Sequence, residues 1–259
     1  MPDIIRCALL LAVVCLLVAC DSAPVTERSQ LIVIPESQER AMGDQAARRI
    51  LQTERMETDP AQNRLVGTIG RRIAAASNEP GLDWEFHVID NDQAVNAFCL
   101  PGGKIFVYSG LLKAVGDEDE LASVMAHEVA HALARHGAER ATLEIAARLG
   151  GAILQLVLGD EDPRLVDIAS RVWGFGANLG VVLPYSRKQE YEADAIGLRL
   201  MDKAGYDMEG AVRFWEAMQR RGSAKPIFNF LSTHPTDAKR VAKIRQDIAA
   251  IRQKKGPWS

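Results

Sequence analysis

The sequence lacks a surplus of positive charge, a long apolar run and internal repeats. Its 31 Lys and Arg are outnumbered by 34 Asp and Glu, and no basic block is present, which argues against a nucleic-acid partner. Its apolar run at residues 8–19 is shorter than the roughly 20 residues that a bilayer-spanning helix needs. Without repeats or a low-complexity linker, the 259 residues predict a single folded domain.

Cysteine is scarce as well. The chain has four, and three of them lie within the first 20 residues. The apolar run there follows a short head with Arg6 and has the length of the apolar region of a secretory signal peptide. A buried core helix is the alternative, but such a helix usually shows a polar face. The N-terminus is therefore predicted to be a signal peptide.

The residues that close this run, LVAC (17–20), resemble the lipobox of bacterial lipoproteins, where the signal is removed before a cysteine that is then acylated. The resemblance implies a signal peptide at 1–19, a lipid-modified Cys20 and a tether at 20–34, with the choice between inner and outer membrane left open. Lipid on Cys20 would anchor the chain to the membrane. Cys99 would then have no disulfide partner, and we expect it to be a small apolar residue of a strand.

Hydrophobic patterning predicts an α+β, mainly helical domain over residues 35–253, followed by a short tail at 254–259. Helical periodicity covers 35–57, 60–77, 117–137, 186–205, 208–221 and 235–253. Alternating apolar residues mark strands at 84–90, 94–100 and 104–110, the last two joined by a Pro-Gly-Gly turn. These strands predict a small antiparallel sheet. Asp117 is the expected N-cap of the third helix, with Glu120 placed for a capping box.

The segment SVMAHEVAHALARH (123–136) holds three of the five histidines. On a helix, His127 and His131 lie on one face, one turn apart, where two imidazoles can bind one Zn²⁺. Glu128 would reach the attacking water rather than the metal, as the general base of a zinc hydrolase does. His136 is rotated well off this face and is expected to be a helix-end residue.

A catalytic zinc site needs a third protein ligand, and the helix at 186–205 offers one. Glu190 and Asp194 lie four residues apart on one face, beside small residues. Glu190 can ligate the metal, while Asp194 can accept the N–H of a ligating histidine. Glu192 is expected to point away into solvent. On the residue pattern alone, a charged surface helix remains an open alternative.

Four motifs in this order resemble the HtpX and CAAX-prenyl-protease type of zinc endopeptidase, peptidase family M48. They are VNAFCLPGGKIFVYSGLL, HEVAH, SRKQEYEADAIG and LSTHPTDAKRV. The resemblance covers residues 38–252 and is greatest to the LoiP- and BepA-like bacterial lipoprotein proteases. It implies a zincin-like fold whose active-site helix carries the His-Glu-x-x-His motif, with one Zn²⁺ per chain.

The resemblance implies a role for each matching residue. The zinc ligands would be His127, His131 and Glu190. Glu128 would be the catalytic base, and Asp194 the acid that orients a ligand. His234 matches a histidine near the metal that can act as an extra ligand or stabilise the oxyanion, although a cap before the last helix is an alternative. Arg240 matches an arginine that supports the site.

Two further segments acquire roles from the resemblance. Strand 94–100 would be the exposed sheet edge along which an extended substrate pairs, and Asn96 would hydrogen-bond the substrate backbone. An asparagine that only stabilises a turn at the strand end is an equal alternative. Residues 149–184 are too short and too glycine-broken to be the membrane helices of HtpX relatives. We expect them to form a plug or a substrate-contacting surface.

The predicted reaction is hydrolysis of internal peptide bonds by a periplasm-facing enzyme held to the membrane through Cys20. The resemblance implies misfolded or unassembled envelope proteins as substrates. A lipid-tethered chaperone or assembly factor with a latent metal site is an alternative. The intact Glu128 argues against it, whereas His234 as a fourth ligand would favour it. A structural zinc site is a third possibility, but two histidines and one glutamate leave an open position, which favours catalysis.

Overall fold

The computed structural model describes residues 20–23, 26–143, 185–221, 230–231, 234 and 239–253. The strands are β1 (Cys20–Ser22), β2 (Ser29–Leu31), β3 (Glu85–Ile89), β4 (Ala97–Leu100) and β5 (Lys104–Tyr108). The helices are α1 (Glu36–Thr53), α2 (Pro60–Ser77), α3 (Ser109–Ala114), α4 (Glu118–Leu133), α5 (Arg187–Ala204), α6 (Glu209–Arg221) and α7 (Arg240–Gln253). The chain is also helical at residues 136–143. The described part is thus mainly helical, as predicted.

The three-stranded sheet is mixed, so the prediction of an antiparallel sheet is wrong. Its order is β3-β5-β4, with β3 parallel and β4 antiparallel to β5. Only β4 and β5 are joined by a tight turn, where Gly102 and Gly103 adopt φ values of 85° and 93°. Residues 90–96 instead carry the chain past β5, so that β5 fills the gap between β3 and β4. Strands without a tight turn between them are free to pair in parallel.

Helix α4 lies at the centre of the domain. Every residue from Glu120 to His131 is buried, because α2, α5, α6 and β4 surround the helix. Helix α5 packs close to it at Gly197, where an added Cβ would lie 3.2 Å from the backbone nitrogen of His127. This contact between backbones places the Glu190 side of α5 against the histidine face of α4.

Helix caps confirm the predicted starts of α4 and α5 and the predicted end of α5, whereas α4 ends at Leu133 rather than at residue 137. Asp117 accepts a hydrogen bond from the backbone N–H of Glu120, while the Glu120 carboxylate accepts from Gly116 rather than from Asp117. Ser186 and Gln189 form a full capping box at the start of α5, and Gly205 ends that helix in the left-handed region. These local signals fix where α4 and α5 begin.

Residues 20–34, expected to be a tether, include the antiparallel hairpin of β1 and β2, in which Cys20 lies opposite Leu31. Ala23, Ile32 and Ile34 are buried. None of the described helices has both the length and the hydropathy of a membrane span. The predicted signal peptide, the 149–184 segment and the C-terminal tail lie outside the described residues.

Candidate metal centre

Four buried side chains converge between α4 and α5. Ligand atoms of His127, His131, Glu190 and His234 all lie within 4.8 Å of one another. The Nε2 atoms of His127 and His131 are 3.0 Å apart. The Glu190 carboxylate faces both, with its oxygens 3.4 Å from His127 Nε2 and 3.3 Å from His131 Nε2. The structure therefore brings together the three ligands that the sequence predicts.

His234 lies inside the same cluster. Its Nδ1 is 3.2 Å from Glu190 Oε1 and 3.3 Å from His127 Nε2. Its Nε2 is 3.3 Å from Glu128 Oε1, so the ring stands between the ligand atoms and the predicted base. The side chain is 1% exposed. This position suits a fourth ligand or a donor to substrate better than it suits a surface cap.

Asp194 and Arg240 hold one side of the cluster. Asp194 Oδ1 is 2.9 Å from His127 Nδ1, which leaves Nε2 of that ring facing the centre. Arg240 donates to both carboxylate oxygens of Asp194, each at 2.8 Å, and its Nη1 is 2.6 Å from Glu190 Oε2. The guanidinium also lies over the ring of Trp215, 3.5 Å from its centroid. The two residues thus fix the orientation of His127 and Glu190.

The electrostatics of the cluster favour a cation. Burial lowers the pKa of His127, but Glu190 and Asp194 outweigh it and raise that pKa to about 9. Burial raises the pKa of Glu190, yet His234, His127 and Arg240 hold it well below its usual range. Burial holds the pKa of His131 well below its usual range, which keeps the imidazole neutral, as a metal ligand must be.

The donor set fits Zn²⁺. Imidazole nitrogens and a carboxylate oxygen are its ordinary ligands in catalytic sites. Glu128 lies beside the cluster, fully buried, and neither carboxylate oxygen accepts a hydrogen bond from the described residues. Burial raises the pKa of this group, which is the direction that suits a general base. A buried carboxylate that contacts His234 at 3.3 Å but accepts no hydrogen bond from the described residues is costly in a structural site and useful as the base of a hydrolytic one.

His136 and Glu192 lie closer to the centre than the sequence predicts. Glu192, expected to be solvated, is 5% exposed, and its Oε2 is 2.9 Å from His136 Nε2. His136 is buried, with its Nδ1 2.7 Å from His131 Nδ1. Helix α4 ends at Leu133 and Arg135 adopts a φ of 49°, so the chain turns His136 back toward His131. Burial raises the pKa of Glu192, but contacts with His136, Thr26 and Arg28 lower it to about 2.

Tyr185 is a site residue that the sequence reasoning missed. Its ring stacks on the imidazole of His131, with centroids 3.8 Å apart and planes at 19°. The guanidinium of Arg140 lies 4.4 Å from the centroid of the same tyrosine. No periodicity marks Tyr185, since it precedes α5. Its position next to the N-cap Ser186 is the one local signal.

Asn96, Cys99 and His87 lie on the sheet rather than in the cluster. Asn96 accepts a hydrogen bond from the backbone N–H of Ala97 at the start of β4, which is an edge strand. Cys99 is half-buried in β4, and His87 on β3 pairs with Glu85. The contact of Asn96 suits the turn alternative, and its role toward substrate stays a prediction.

Comparison with known proteins identifies a family over the region that contains these motifs. A profile described as Peptidase family M48 matches residues 60–248. The chain belongs to peptidase family M48. This confirms the resemblance seen in the sequence, and the expectation of a metal-dependent endopeptidase is confirmed at the level of the M48 family and of relatives named metalloendopeptidase.

Curated relatives of this M48 chain come from mitochondria and from bacteria. The mitochondrial metalloendopeptidase OMA1 of Schizosaccharomyces pombe is 42% identical over 182 residues, which cover 70% of this chain and 51% of that protein. The OMA1 of Saccharomyces cerevisiae is 33% identical over 241 residues, 85% of this chain and 67% of that protein. The beta-barrel assembly-enhancing protease of Yersinia pestis is 32% identical over 240 residues, which cover 89% of this chain and 48% of that protein. The chain therefore spans about half to two thirds of these relatives.

Proposed function

We propose that this M48 chain is a zinc-dependent endopeptidase with a zincin-like arrangement of α4 and its sheet. One observation carries the proposal. The Nε2 atoms of His127 and His131 and the carboxylate of Glu190 converge beside Glu128, whose buried carboxylate is left without a hydrogen bond from the described residues. That combination offers three predicted protein ligands next to a base, which is the pattern of a catalytic rather than a structural zinc site.

Each residue of the site is proposed to have a separate role in hydrolysis. A bound Zn²⁺ supplies Lewis acidity to the scissile carbonyl and to water. Glu128 takes a proton from the attacking water and passes it to the leaving amine. His234, whose Nε2 is 3.3 Å from Glu128, is proposed to stabilise the developing oxyanion. Asp194 and Arg240 keep His127 and Glu190 in position.

Extended substrate would bind along β4. This strand is an edge of the sheet and packs against α4, so a peptide added to it passes beside the base. Backbone hydrogen bonds along β4 would hold the peptide without regard to sequence. Asn96, at the start of the strand, is proposed to contribute one of them.

The proposed setting is the bacterial cell envelope, facing the periplasm, with misfolded or unassembled envelope proteins as substrates. The lipobox-like LVAC supports lipidation at Cys20 and attachment to the inner or outer membrane. The name of the Yersinia pestis relative, a beta-barrel assembly-enhancing protease, supports an envelope substrate. The mitochondrial relatives point to the same chemistry in another compartment.

The decisive experiment uses purified full-length protein and casein. Cleavage should require Zn²⁺ and stop with a chelator. Glu128→Gln should bind Zn²⁺ with unchanged stoichiometry but cleave about 10²–10⁴-fold more slowly, because the amide cannot take a proton. Glu54→Gln, the same change at an exposed position, serves as the control. Equal cleavage by Glu128→Gln and wild type would refute the mechanism.

A chaperone or assembly factor with a latent site is the second candidate. The position of His234 among the ligand atoms favours it, since a fourth ligand would close the open side. It predicts that Glu128→Gln and chelator-treated protein suppress aggregation of an unfolded client as well as wild type does. If Glu128→Gln and chelator-treated protein lost both the suppression of aggregation and cleavage, the chaperone alternative would be ruled out and the protease function would remain.

A further inference from the structure

A continuous path of polar contacts joins the ligand His131 to the N-terminal hairpin. His131 Nδ1 is 2.7 Å from His136 Nδ1, and His136 Nε2 is 2.9 Å from Glu192 Oε2. Arg28, which directly precedes β2, donates through Nε to the same Glu192 oxygen at 2.7 Å. The side chains of His136 and Glu192 are at most 3% exposed, and that of Arg28 is 12% exposed.

The contacts define one proton arrangement along this path. His131 presents Nε2 to the metal centre, so its ring proton lies on Nδ1 and is donated to His136 Nδ1. His136 then carries its own proton on Nε2 and donates it to Glu192. Glu192 accepts at the end of the path, which fixes both rings in single tautomers and orientations.

Both ligand histidines are thus backed by a carboxylate of α5 and an arginine from elsewhere in the chain. His127 is held by Asp194 directly, and Asp194 by Arg240. For His131, the equivalent carboxylate is Glu192, reached through His136. The arginine in the equivalent place is Arg28.

Arg28 fixes Glu192 because it bridges two buried carboxylates. Its Nη1 and Nη2 donate to both oxygens of Glu139, at 2.6 and 2.7 Å, while its Nε holds Glu192. Thr26 donates to the other oxygen of Glu192. Without the guanidinium, the two buried carboxylates would lose the cation that joins them, and Glu192 would be held by Thr26 and His136 without its charged partner.

We propose that Arg28 is a positioning residue for the metal ligand His131, acting through Glu192 and His136. The hairpin that begins at Cys20 is therefore part of the support of the metal centre. This inference rests on the proposed function, because it takes His131 to be a ligand. It adds that the chain segment nearest to the proposed lipid anchor sets how tightly the metal is held.

The test measures metal binding in the full-length protein rather than cleavage alone. In Arg28→Gln, Zn²⁺ affinity measured by competition with a chromophoric chelator should fall about 10-fold, the lower end of the loss seen when a direct partner of a ligand is removed, because Arg28 acts through two intervening side chains. The visible absorption bands of bound Co²⁺ should shift, since they report the geometry of the ligands. Arg55→Gln, which removes an 81% exposed arginine, should change neither.

A double variant separates positioning from general loss of stability. If Arg28 acts through His136, then Arg28→Gln added to His136→Gln should cost less than about a twofold further loss of Zn²⁺ affinity. If the fold-losses of Zn²⁺ affinity in the two single variants multiplied in the double variant, Arg28 would not act through His136. If Arg28→Gln had the same Zn²⁺ affinity and the same Co²⁺ absorption bands as the wild type, the whole inference would be overturned.

Arg28→Lys covers the case in which Arg28→Gln does not fold. It keeps a cation between Glu139 and Glu192 but cannot make the three fixed bonds of a guanidinium, so an intermediate Zn²⁺ affinity is expected. Affinity equal to wild type would contradict the proposal. A wild-type protein that binds no Zn²⁺ would instead contradict the proposed function, so the two failures are distinguishable.

Discussion

Single side chains decide which nitrogen of each imidazole faces the metal centre. His127 and His131 both present Nε2 to it and give Nδ1 to a partner, Asp194 in one case and His136 in the other. A ring whose Nδ1 donates to a fixed partner keeps its tautomer and orientation, so its Nε2 lone pair stays directed at the predicted metal position. We therefore expect the partners to contribute to metal affinity along with the predicted ligands.

Asp194→Asn tests this at the residue scale. The amide keeps the size of the carboxylate but loses the charge that both His127 and Arg240 contact. Zn²⁺ affinity, measured by chelator competition, should fall about 10–100-fold, and cleavage at limiting Zn²⁺ should fall with it. Asp202→Asn, an exposed position on the same helix, is the control. Unchanged affinity in Asp194→Asn would show that the carboxylate does not orient the ligand.

Close packing of α4 on α5 sets the distances within the site at the scale of elements. The two helices meet at Gly197, whose missing side chain lets the backbones touch next to His127. Both helices begin at strong caps, which fixes their register along the chain. Any separation of the helices would move Glu190 away from both histidines.

Gly197→Val should separate them. Its Cβ would lie 3.2 Å from backbone atoms of Ala126 and His127, which cannot yield as a flexible side chain can. Overpacking of this kind costs about 1–3 kcal/mol of unfolding free energy, measurable by urea titration, and should also weaken Zn²⁺ binding. Ala195→Val, which adds a β-branched residue to a half-exposed position of α5, should cost only about 0.5 kcal/mol. Equal losses in the two variants would contradict the packing argument.

The helices and the convergence of the predicted ligands were accessible to sequence reasoning because caps and four-residue spacings are local signals. Asp117, Ser186 and Gly205 mark helix ends, and the spacings of the His-Glu-x-x-His motif and of the α5 acids hold wherever the helices pack. Sheet order was not accessible, since alternation marks strands without saying which are neighbours. The left-handed turn at Arg135 likewise breaks the helical period on which the placement of His136 depended.

The metal centre is assembled at the scale of the whole molecule. Its predicted ligands come from α4 and α5, His234 reaches the same cluster from a separate segment, and the supporting side chains come from α7 and from Arg28 at the N-terminal hairpin. No local segment of the chain contains more than two of the predicted ligands, so the site cannot exist before these parts have docked. Metal binding must therefore be coupled to folding of the domain.

Metal removal should lower the stability of the entire domain. A ligand that binds only the folded state stabilises it by about 2.7 kcal/mol at a free concentration of 100 times Kd, which corresponds to roughly 5–10 °C in Tm for a domain of this size. Thermal scans with Zn²⁺ and with excess chelator measure the difference. Glu190→Gln, which removes a predicted ligand, should abolish most of it, whereas Glu128→Gln should keep it, because Glu128 is predicted to contact water rather than metal. A Zn²⁺-dependent shift lost in Glu128→Gln but retained in Glu190→Gln would reverse the two assignments.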